Sequence, residues 1–324
     1  MKIAILGTGA YGISLALTLI ENKHQVTMWT KIKEEKELIE TTRENKNVLP
    51  GVIIPSEIEI TTNMAECTKE KELIIIAVPA KYVNDISIEL KKYIKEDQHI
   101  CIASKGIEQQ TCLFVSDVLY KHIKTEQVAV ISGPSFAADI VQKKPIGLTL
   151  ATKNKQTEKI VKLALENSYF KLRTTSDIYG TEICGSIKNV IAIASGILDG
   201  LEATDSTKAM FITESLHDIK ELIKNLGGDG KTILSFAGFG DLLLTCTSTK
   251  SRNYSFGKVL ATKSKEEIEE YKKTHTIEGL YTLESIYELI NNKAVNMPII
   301  DLIYDIIFKN KDKKELLTFL ITKE

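Results

Sequence analysis

Lys188 is the one basic residue between Arg173 and Lys208, and it lies in one of the most apolar stretches of the chain. Isoleucine, valine, leucine and alanine recur there at three- and four-residue spacing, which predicts a helix buried over much of its circumference. A buried ammonium is costly unless it is paired or faces a polar pocket, and burial lowers a lysine pKa towards the range useful for proton transfer. Lys188 therefore either transfers protons or lies at a helix edge with its ammonium extended into solvent.

A glycine turn follows the first predicted strand. Gly7, Gly9 and Gly12 match the G-x-G-x-x-G pattern, with Ala10 and Tyr11 between them, and the pattern opens a predicted helix. The first glycine permits the tight bend, the second lets the backbone approach a pyrophosphate, and the third lets helix and strand pack closely. The helix N-terminus then provides N–H donors for phosphates. We predict a dinucleotide site here; the alternative is an ordinary structural turn.

The residues after the second predicted strand bear on the choice of dinucleotide. An acidic residue there would bind the ribose 2′-hydroxyl of NAD, whereas this chain has Lys31 and Lys33 and no acid until Glu34. Lysines at this place suit a 2′-phosphate, so the sequence favours NADPH over NADH. The alternative is that the two lysines begin a solvated helix and that Glu34 or Glu35 reaches the ribose.

Short β-type runs alternate with helical runs through the first half of the chain. This alternation predicts βαβ units and a mostly parallel, Rossmann-like sheet with helices on both faces. The strands are predicted at 2–6, 25–30, 58–62, 73–78, 99–104, 128–132, 147–151 and 170–173. The helices between them are predicted at 10–22, 83–94, 112–120 and 155–166.

The strand signal fades after about residue 176, and helical periodicity takes its place. We therefore predict an α/β chain with two domains: a dinucleotide-binding Rossmann-like domain at 1–175 and an all-helical substrate and catalytic domain at 176–324. The helices of the second domain are predicted at 178–199, 206–225, 231–248, 264–272, 279–292 and 297–308.

Charge and composition limit the partners of this chain. Its 324 residues include 42 Lys and Arg against 43 Asp and Glu, a net charge of −1 that provides no global field for nucleic acid or an anionic membrane. The apolar runs are too short to span a bilayer, and the N-terminal one lacks a signal-peptide cleavage site, so we expect a cytoplasmic protein. Five widely spaced cysteines fit reduced thiols, and neither they nor the five histidines show metal-ligand spacing, so we expect no metal site.

Over nearly its whole length, the chain resembles the bacterial-type NAD(P)-dependent glycerol-3-phosphate dehydrogenases. The more specific matching blocks are Ser104-Lys-Gly-Ile-Glu108, Gly133-Pro-Ser-Phe-Ala137, Lys188-Asn189 and Ser251-Arg-Asn253. The other blocks, in the family's order, lie at 7–12, 49–51, 77–79, 182–201, 237–246, 278–279 and 297–298. The resemblance implies hydride transfer between NAD(P)H and dihydroxyacetone phosphate, giving sn-glycerol 3-phosphate for phospholipid synthesis.

The resemblance also implies a role for each residue that matches a family motif. Lys188 becomes the proton donor and acceptor at the substrate oxygen, with Lys105 and Asp241 as further catalytic residues. Asp241 would orient Lys188 or contact a substrate hydroxyl; alternatively, it caps a helix. The implied substrate contacts are Lys105, Gly133, Ser135, Lys188, Asp241, Ser251, Arg252 and Asn253. The implied cofactor contacts are Gly7, Gly9, Ala10, Tyr11, Gly12, Lys31, Lys105, Ala137, Arg252, Thr276 and Glu278.

Arg252 is the implied phosphate ligand of the Ser251–Asn253 block. A guanidinium presents paired donors that match phosphate geometry, and the neighbouring Asn253 adds a neutral donor. Arginine is scarce in this lysine-rich chain, where the others are Arg43 and Arg173, so its use here indicates that charge alone is insufficient. The alternative is one more surface cation.

The chain departs from the family pattern at four positions. Tyr11 stands where Trp or Phe is usual, Lys31 where relatives often carry Arg, and Thr276 where Val is common. Glu214 reverses a charge, because many relatives carry Arg at this place. The change at Lys31 leaves the preference for NADPH open, and the sequence assigns no consequence to Glu214.

Two other functions share parts of this pattern. Ketopantoate-type and other β-hydroxyacid-type reductases share both domains and the lysine, but they need a carboxylate site rather than the phosphate site that residues 251–253 indicate. A non-catalytic NAD(P)H sensor would not need Lys188, Asp241 and Arg252 together. The expected partners are thus the dinucleotide and a small-molecule substrate, with no nucleic acid and no membrane span, and a homodimer is one assembly to consider.

Overall fold

Eight strands form a single sheet in the computed structural model, which describes residues 1–323. The strands are β1 Lys2–Leu6, β2 Gln25–Trp29, β3 Glu59–Thr61, β4 Leu73–Ile76, β5 His99–Ile102, β6 Val128–Ser132, β7 Ile146–Ala151 and β8 Phe170–Thr175. Their order is β3-β2-β1-β4-β5-β6-β7-β8, and all neighbours are parallel except β6 and β7. This confirms the predicted fold class, a mostly parallel Rossmann-like sheet followed by helices.

The chain forms two compact units, which we name the sheet unit and the helical unit. The sheet unit comprises Met1–Lys105 and Val115–Ile178. The helical unit comprises Gly106–Phe114 and the described residues from Tyr179 onward. Each unit has its own hydrophobic core.

Strand β1 lies at the point where the sheet reverses its direction of growth. The chain passes from β1 to β2 and β3 on one side, then returns to β4 on the other side of β1 and continues outward. Four of the five residues of β1 are buried, as expected for a parallel strand covered on both faces. In open α/β sheets, ligands bind beyond the carboxyl ends of the strands at such a reversal.

Seven helices belong to the sheet unit. They are α1 Ala10–Glu21, α2 Lys33–Thr42, α3 Met64–Thr68, α4 Val83–Leu90, α5 Val115–His122, α6 Ala137–Val141 and α7 Lys155–Leu165. Of these, the helix predicted at 112–120 begins three residues later than predicted. Cys112 has a left-handed φ of 54°, and Ile107 and Phe114 form an antiparallel bridge across the preceding loop.

The helical unit contains eight helices among the described residues. They are α8 Ile178–Gly200, α9 Asp205–Asn225, α10 Asp241–Thr247, α11 Arg252–Thr262, α12 Lys265–Thr274, α13 Glu278–Asn292, α14 Pro298–Phe308 and α15 Glu315–Thr322. Helix α8 is long and apolar enough to cross a membrane by length and composition, yet 83% of its 18-residue window is buried within the protein. It is therefore the core helix of this unit, in agreement with the burial predicted around Lys188.

The prediction of a single helix at 231–248 is wrong. Ser235 adopts an extended conformation, with φ −81° and ψ 177°, and its Oγ accepts a hydrogen bond from the backbone N–H of Gly238 at 3.2 Å. A serine that caps a backbone N–H in this way competes with a continuous helix. The segment is consequently divided into a 3₁₀ helix, a π turn and an α-helix, at Gly230–Leu234, Phe236–Gly240 and Asp241–Thr247.

Helices α8 and α11 cross with their backbones in contact. A Cβ added to Gly196 would lie 2.0 Å from the carbonyl oxygen of Tyr254, and one added to Gly257 would lie 2.0 Å from that of Ile193. Only glycine permits this approach on either helix. The crossing fixes the N-terminal end of α11 beside the middle of α8.

We expect Gly196→Ala to destabilise the helical unit. Alanine has a helix propensity about 1 kcal/mol better than glycine, but the overlap with the Tyr254 carbonyl forces the helices apart and should cost at least about 2 kcal/mol net. Urea denaturation followed by circular dichroism measures the change. Gly9→Ala is the matched control, because a Cβ there has no heavy atom within 4 Å. Equal stability of the two variants would contradict the close crossing.

Candidate functional site

The glycine turn between β1 and α1 is shaped by two different demands. Gly7 has a φ of 124°, and a Cβ there would lie 2.5 Å from the carbonyl oxygen of Ala77, which follows β4. A Cβ on Gly12 would lie 2.5 Å from the carbonyl oxygen of Gly7, so both glycines are required by packing. Gly9 instead faces open space, with no heavy atom within 4 Å of a Cβ.

The open side of this turn fits a phosphate group. No side chain caps the N-terminus of α1, and its first turn contains no acidic residue. A helix N-terminus in that condition presents N–H groups and the positive end of the helix dipole to an anion. The turn thus provides both the room at Gly9 and the electrostatics that the pyrophosphate of a dinucleotide needs.

A carboxylate lies beside the turn. Glu35 accepts hydrogen bonds from the hydroxyl of Thr8 at 2.6 Å, from the hydroxyl of Thr30 at 2.5 Å and from Nδ2 of Asn45 at 2.8 Å. Asn45 Nδ2 also donates to the carbonyl oxygen of Thr8 at 3.1 Å. Glu35 therefore turns inward, as the alternative that favours NADH requires.

The two lysines near this position lie outward. Lys31 and Lys33 are both exposed, and the ammonium of Lys33 is 3.6 Å from the carboxylate of Glu37 one turn along α2. Sequence reasoning named Glu35 as a complication, but it overlooked Thr8, Thr30 and Asn45, which hold Glu35 in place. Thr8 occupies a variable position of the glycine pattern, and no pattern in the sequence marks Asn45.

A second group of candidate residues gathers at the carboxyl ends of β5 and β6. Lys105 donates to the carbonyl oxygen of Gly133 at 3.4 Å, and Ser135 Oγ donates to the same oxygen at 3.2 Å. The hydroxyl of Tyr11 lies 3.2 Å from Ser135 Oγ. Ala137 is the first residue of α6. The structure thus brings Lys105 and Ser135 together at the backbone carbonyl of Gly133, with Tyr11 beside Ser135.

Lys188 and Asp241 form a buried ion pair in the helical unit. The ammonium of Lys188 donates to Oδ1 of Asp241 at 2.6 Å, and the two side chains are only 11% and 2% exposed. The alternative of a lysine that extends into solvent is therefore excluded. The hydroxyl of Thr245 lies 3.5 Å from the same oxygen and donates to the Asp241 backbone carbonyl at 2.6 Å.

Asp241 is not the cap of its helix. The N-cap of α10 is Gly240, and Asp241 is the first helical residue after the π turn. Its Oδ1 accepts the hydrogen bond from Lys188. Cys246 is buried on the same helix, and burial raises the pKa of its thiol although the Lys188 ammonium lowers it, so that the thiol stays neutral.

The Ser251–Asn253 block begins helix α11. Ser251 Oγ caps the helix by accepting from the backbone N–H of Tyr254 at 3.2 Å, while Asn253 Oδ1 accepts from the backbone N–H of Gly279 at 2.8 Å. Both Ser251 and Asn253 are buried. A Cβ on Gly279 would lie 2.7 Å from the carbonyl oxygen of Asn189, so α8, α11 and α13 meet here, one residue along from Lys188.

Arg252 lies at the edge of this junction. Its side chain is 56% exposed, and its guanidinium is 3.6 Å from the carboxylate of Glu278, the first residue of α13. Thr276 is exposed in the segment before α13. An exposed guanidinium held loosely by one carboxylate can present its remaining donors to a phosphate. The N-terminal ends of α11 and α13, which pack on α8, therefore carry Ser251, Arg252, Asn253 and Glu278.

Comparison with known proteins identifies the family. Profiles described as the N-terminus and C-terminus of NAD-dependent glycerol-3-phosphate dehydrogenase match residues 2–158 and 177–318. The glycerol-3-phosphate dehydrogenase (NAD(P)+) of Fusobacterium nucleatum subsp. nucleatum is 35% identical over 327 residues, covering 100% of this chain and 97% of that protein. That of a Thermoanaerobacter species is 38% identical over 325 residues, covering 100% and 98%.

Solved structures agree with the sequence comparison. The crystal structure of glycerol-3-phosphate dehydrogenase from Coxiella burnetii has a TM-score of 0.92 and 30% identity, covering 99% of each chain. A ketopantoate reductase from Ralstonia eutropha, with a TM-score of 0.61 and 13% identity, shares the fold alone. The full-length similarity at 30–38% identity therefore separates this chain from the reductases that only share its architecture. The chain belongs to the NAD(P)-dependent glycerol-3-phosphate dehydrogenase family.

Proposed function

We propose that Lys188 is the group that gives and takes the proton when this enzyme interconverts dihydroxyacetone phosphate and sn-glycerol 3-phosphate. The observation that carries this proposal is the buried Lys188–Asp241 pair at 2.6 Å, next to the junction that holds Ser251 and Asn253. A buried, paired lysine in the core helix has a stability cost that a purely structural apolar residue would avoid. A role in proton transfer accounts for a lysine at this buried position.

Lys188 stabilises the charge that develops on the substrate. NAD(P)H, when bound, supplies the hydride that reduces the C2 carbonyl. Negative charge then builds on the carbonyl oxygen, and an ammonium within hydrogen-bond reach of that oxygen stabilises it and donates the proton. In the reverse direction, the amine of Lys188 accepts the proton of the C2 hydroxyl.

Asp241 is the positioning residue for this lysine. Its carboxylate offsets the cost of burying the ammonium and fixes the direction in which Lys188 Nζ points. Thr245, which bonds the Asp241 backbone, in turn limits the movement of the aspartate. The pair therefore keeps a charged donor oriented in a site from which water is largely excluded.

Arg252 is the proposed ligand of the substrate phosphate, with Ser251 and Asn253. Because Asn253 Oδ1 is engaged by the backbone N–H of Gly279, the amide is oriented with its donor end, Nδ2, on the opposite side. The charge-assisted donors of Arg252 and the neutral donors of Asn253 are the types of group that phosphate oxygens accept. Family resemblance adds Lys105, Gly133 and Ser135 as substrate contacts of the sheet unit.

The remaining assignments also follow from the family resemblance. Residues 1–175 would bind the dinucleotide and residues 176–324 the substrate, in a cytoplasmic enzyme whose product serves phospholipid synthesis. The open glycine turn supports the first assignment. A homodimer stays a prediction, for which sedimentation is the measurement. The proposed cofactor contacts are Gly7, Gly9, Ala10, Tyr11, Gly12, Lys31, Lys105, Ala137, Arg252, Thr276 and Glu278.

Lys188→Met is expected to lower kcat by about two orders of magnitude or more, because it removes both the proton and the stabilising charge. The dissociation constant for the dinucleotide should change little. Steady-state kinetics and a fluorescence titration measure the two quantities. Lys208→Met is the matched control, since Lys208 also forms ion pairs in the helical unit, with Asp199 and Asp205, and it should leave kcat near the wild-type value.

A second variant separates chemistry from folding. Lys188→Met alone leaves Asp241 charged and buried, which can cost about 3–5 kcal/mol of stability. The double variant Lys188→Met, Asp241→Asn removes that charge and should regain most of the stability while it stays inactive. Near-normal turnover by a folded variant without Lys188 would refute the assignment.

Arg252→Ala should distinguish a phosphate ligand from a structural cation. Loss of a charge-assisted contact should cost about 2–4 kcal/mol in kcat/KM for dihydroxyacetone phosphate. The already low rate with dihydroxyacetone, which lacks the phosphate, should be almost unchanged. Lys258→Ala is the control on the same helix, because Lys258 is 42% exposed and paired with Asp199. Equal losses with both substrates would show that Arg252 supports structure or cofactor binding.

A further inference from the structure

We propose that Glu35 makes this enzyme prefer NADH to NADPH, because its carboxylate lies where the adenosine ribose presents its 2′ position. This inference rests on the dinucleotide site proposed above. It reverses the preference that Lys31 and Lys33 suggest from the sequence. It also assigns cofactor choice to an acid that follows the second strand by six residues instead of ending it.

The position of the carboxylate follows from the register of β1 and β2. Leu6 pairs with Trp29, and the backbone N–H of Gly7 donates to the carbonyl oxygen of Trp29 at 2.8 Å. Thr30 therefore lies directly beside the glycine turn, at the place where a side chain of this fold faces the adenosine ribose. Glu35 bonds the hydroxyl of Thr30 at 2.5 Å, so its carboxylate reaches the same place from helix α2.

Side chains of the protein itself hold the carboxylate in place. Thr8, Thr30 and Asn45 are each less than 5% exposed, and together they donate three hydrogen bonds to the two oxygens of Glu35. Glu35 is the third residue of α2, where the helix dipole also favours a negative charge. Glu35 itself is only partly buried, and the two oxygens of a carboxylate have about four acceptor sites, so they can accept a further hydrogen bond beside these three.

The two dinucleotides differ in what they bring to this carboxylate. The ribose of NADH offers a 2′-hydroxyl, which can donate a hydrogen bond to Glu35. The ribose of NADPH instead carries a 2′-phosphate, which has a charge of about −1.5 to −2 and no hydroxyl proton to donate to Glu35 when it is fully ionised. A fixed carboxylate accepts the first and repels the second.

The lysines do not offset this repulsion. Lys31 and Lys33 are exposed, and Lys33 is already 3.6 Å from Glu37, so their attraction for a phosphate is reduced by solvent and by neighbouring acid. Holding a long side chain in one position also costs rotamer entropy, whereas Glu35 is already held. The fixed acid therefore determines the preference.

Dissociation constants, measured without substrate, test the proposal. Titration of the full-length enzyme with NADH and NADPH, followed by the fluorescence of the reduced nicotinamide, should show NADH bound at least about tenfold more tightly at low salt. Glu35→Gln removes the negative charge and keeps the shape of the side chain. It should reduce the preference for NADH, expressed as the dissociation constant of NADPH divided by that of NADH, by about tenfold or more. Glu34→Gln is the matched control, because Glu34 is the exposed neighbour of Glu35. This variant should leave the ratio of the two dissociation constants unchanged.

Competition by adenosine 5′-monophosphate and adenosine 2′,5′-bisphosphate, which differ only in the 2′-phosphate, isolates the ribose end of the site. Wild type should favour the monophosphate, and Glu35→Gln should shift the preference towards the bisphosphate. Thermal denaturation verifies that each variant is folded. A wild-type preference for NADPH, or a Glu35→Gln variant that weakens both dinucleotides equally, would overturn the inference and leave Glu35 as a support of the turn. Failure of wild type to bind either dinucleotide would instead refute the proposed dinucleotide site.

Discussion

The ion pair between Lys188 and Asp241 constrains how helices α8 and α10 are placed in the helical unit. Each charge alone would be costly in a core where the two side chains are 11% and 2% exposed. Their short contact offsets part of that cost only while α8 and α10 keep their relative position. A pair of apolar residues would stabilise the same packing with less geometric demand. The pair thus exchanges stability for an oriented ammonium at the centre of the unit.

Glycines determine what surrounds that ammonium. Gly196 and Gly257 let α11 pack on α8 at backbone contact, and Gly279 lets α13 approach Asn189 in the same way. Larger residues at these positions would move the N-terminal ends of both helices outward by the width of a side chain. The capping serine and the asparagine that begin α11 would move with them. The close packing of α11 and α13 on α8 is therefore a feature of the core. It is also a condition for placing the proposed hydrogen-bond donors to the substrate phosphate near Lys188.

The sequence predicted those parts of the molecule that depend on interactions between residues close together in the chain. The buried helix around Lys188 and the glycine turn follow from spacing of three to four residues or less, and the parallel strands follow from the alternation of short β-type runs with helical runs. The side-chain positions that the sequence left open depend on partners that lie far away along the chain. Asp241 could be a helix cap or a partner of Lys188, and the choice rests on a contact across 53 positions. Glu35 turns inward because Thr8 and Asn45, which lie 27 and 10 positions away, donate to it.

A chain with a net charge of −1 has no general attraction for its anionic ligands, so anion recognition depends on placement of single charges. Arg252 adds a cation at the proposed site of the substrate phosphate, and the uncapped N-terminus of α1 adds a partial charge at the proposed site of the pyrophosphate. Glu35 acts in the opposite sense, because a negative charge beside the glycine turn excludes an additional phosphate without weakening the contacts that every dinucleotide shares. Selectivity between two nearly identical anions is achieved more readily by one fixed repulsive charge than by stronger attraction, which would favour both.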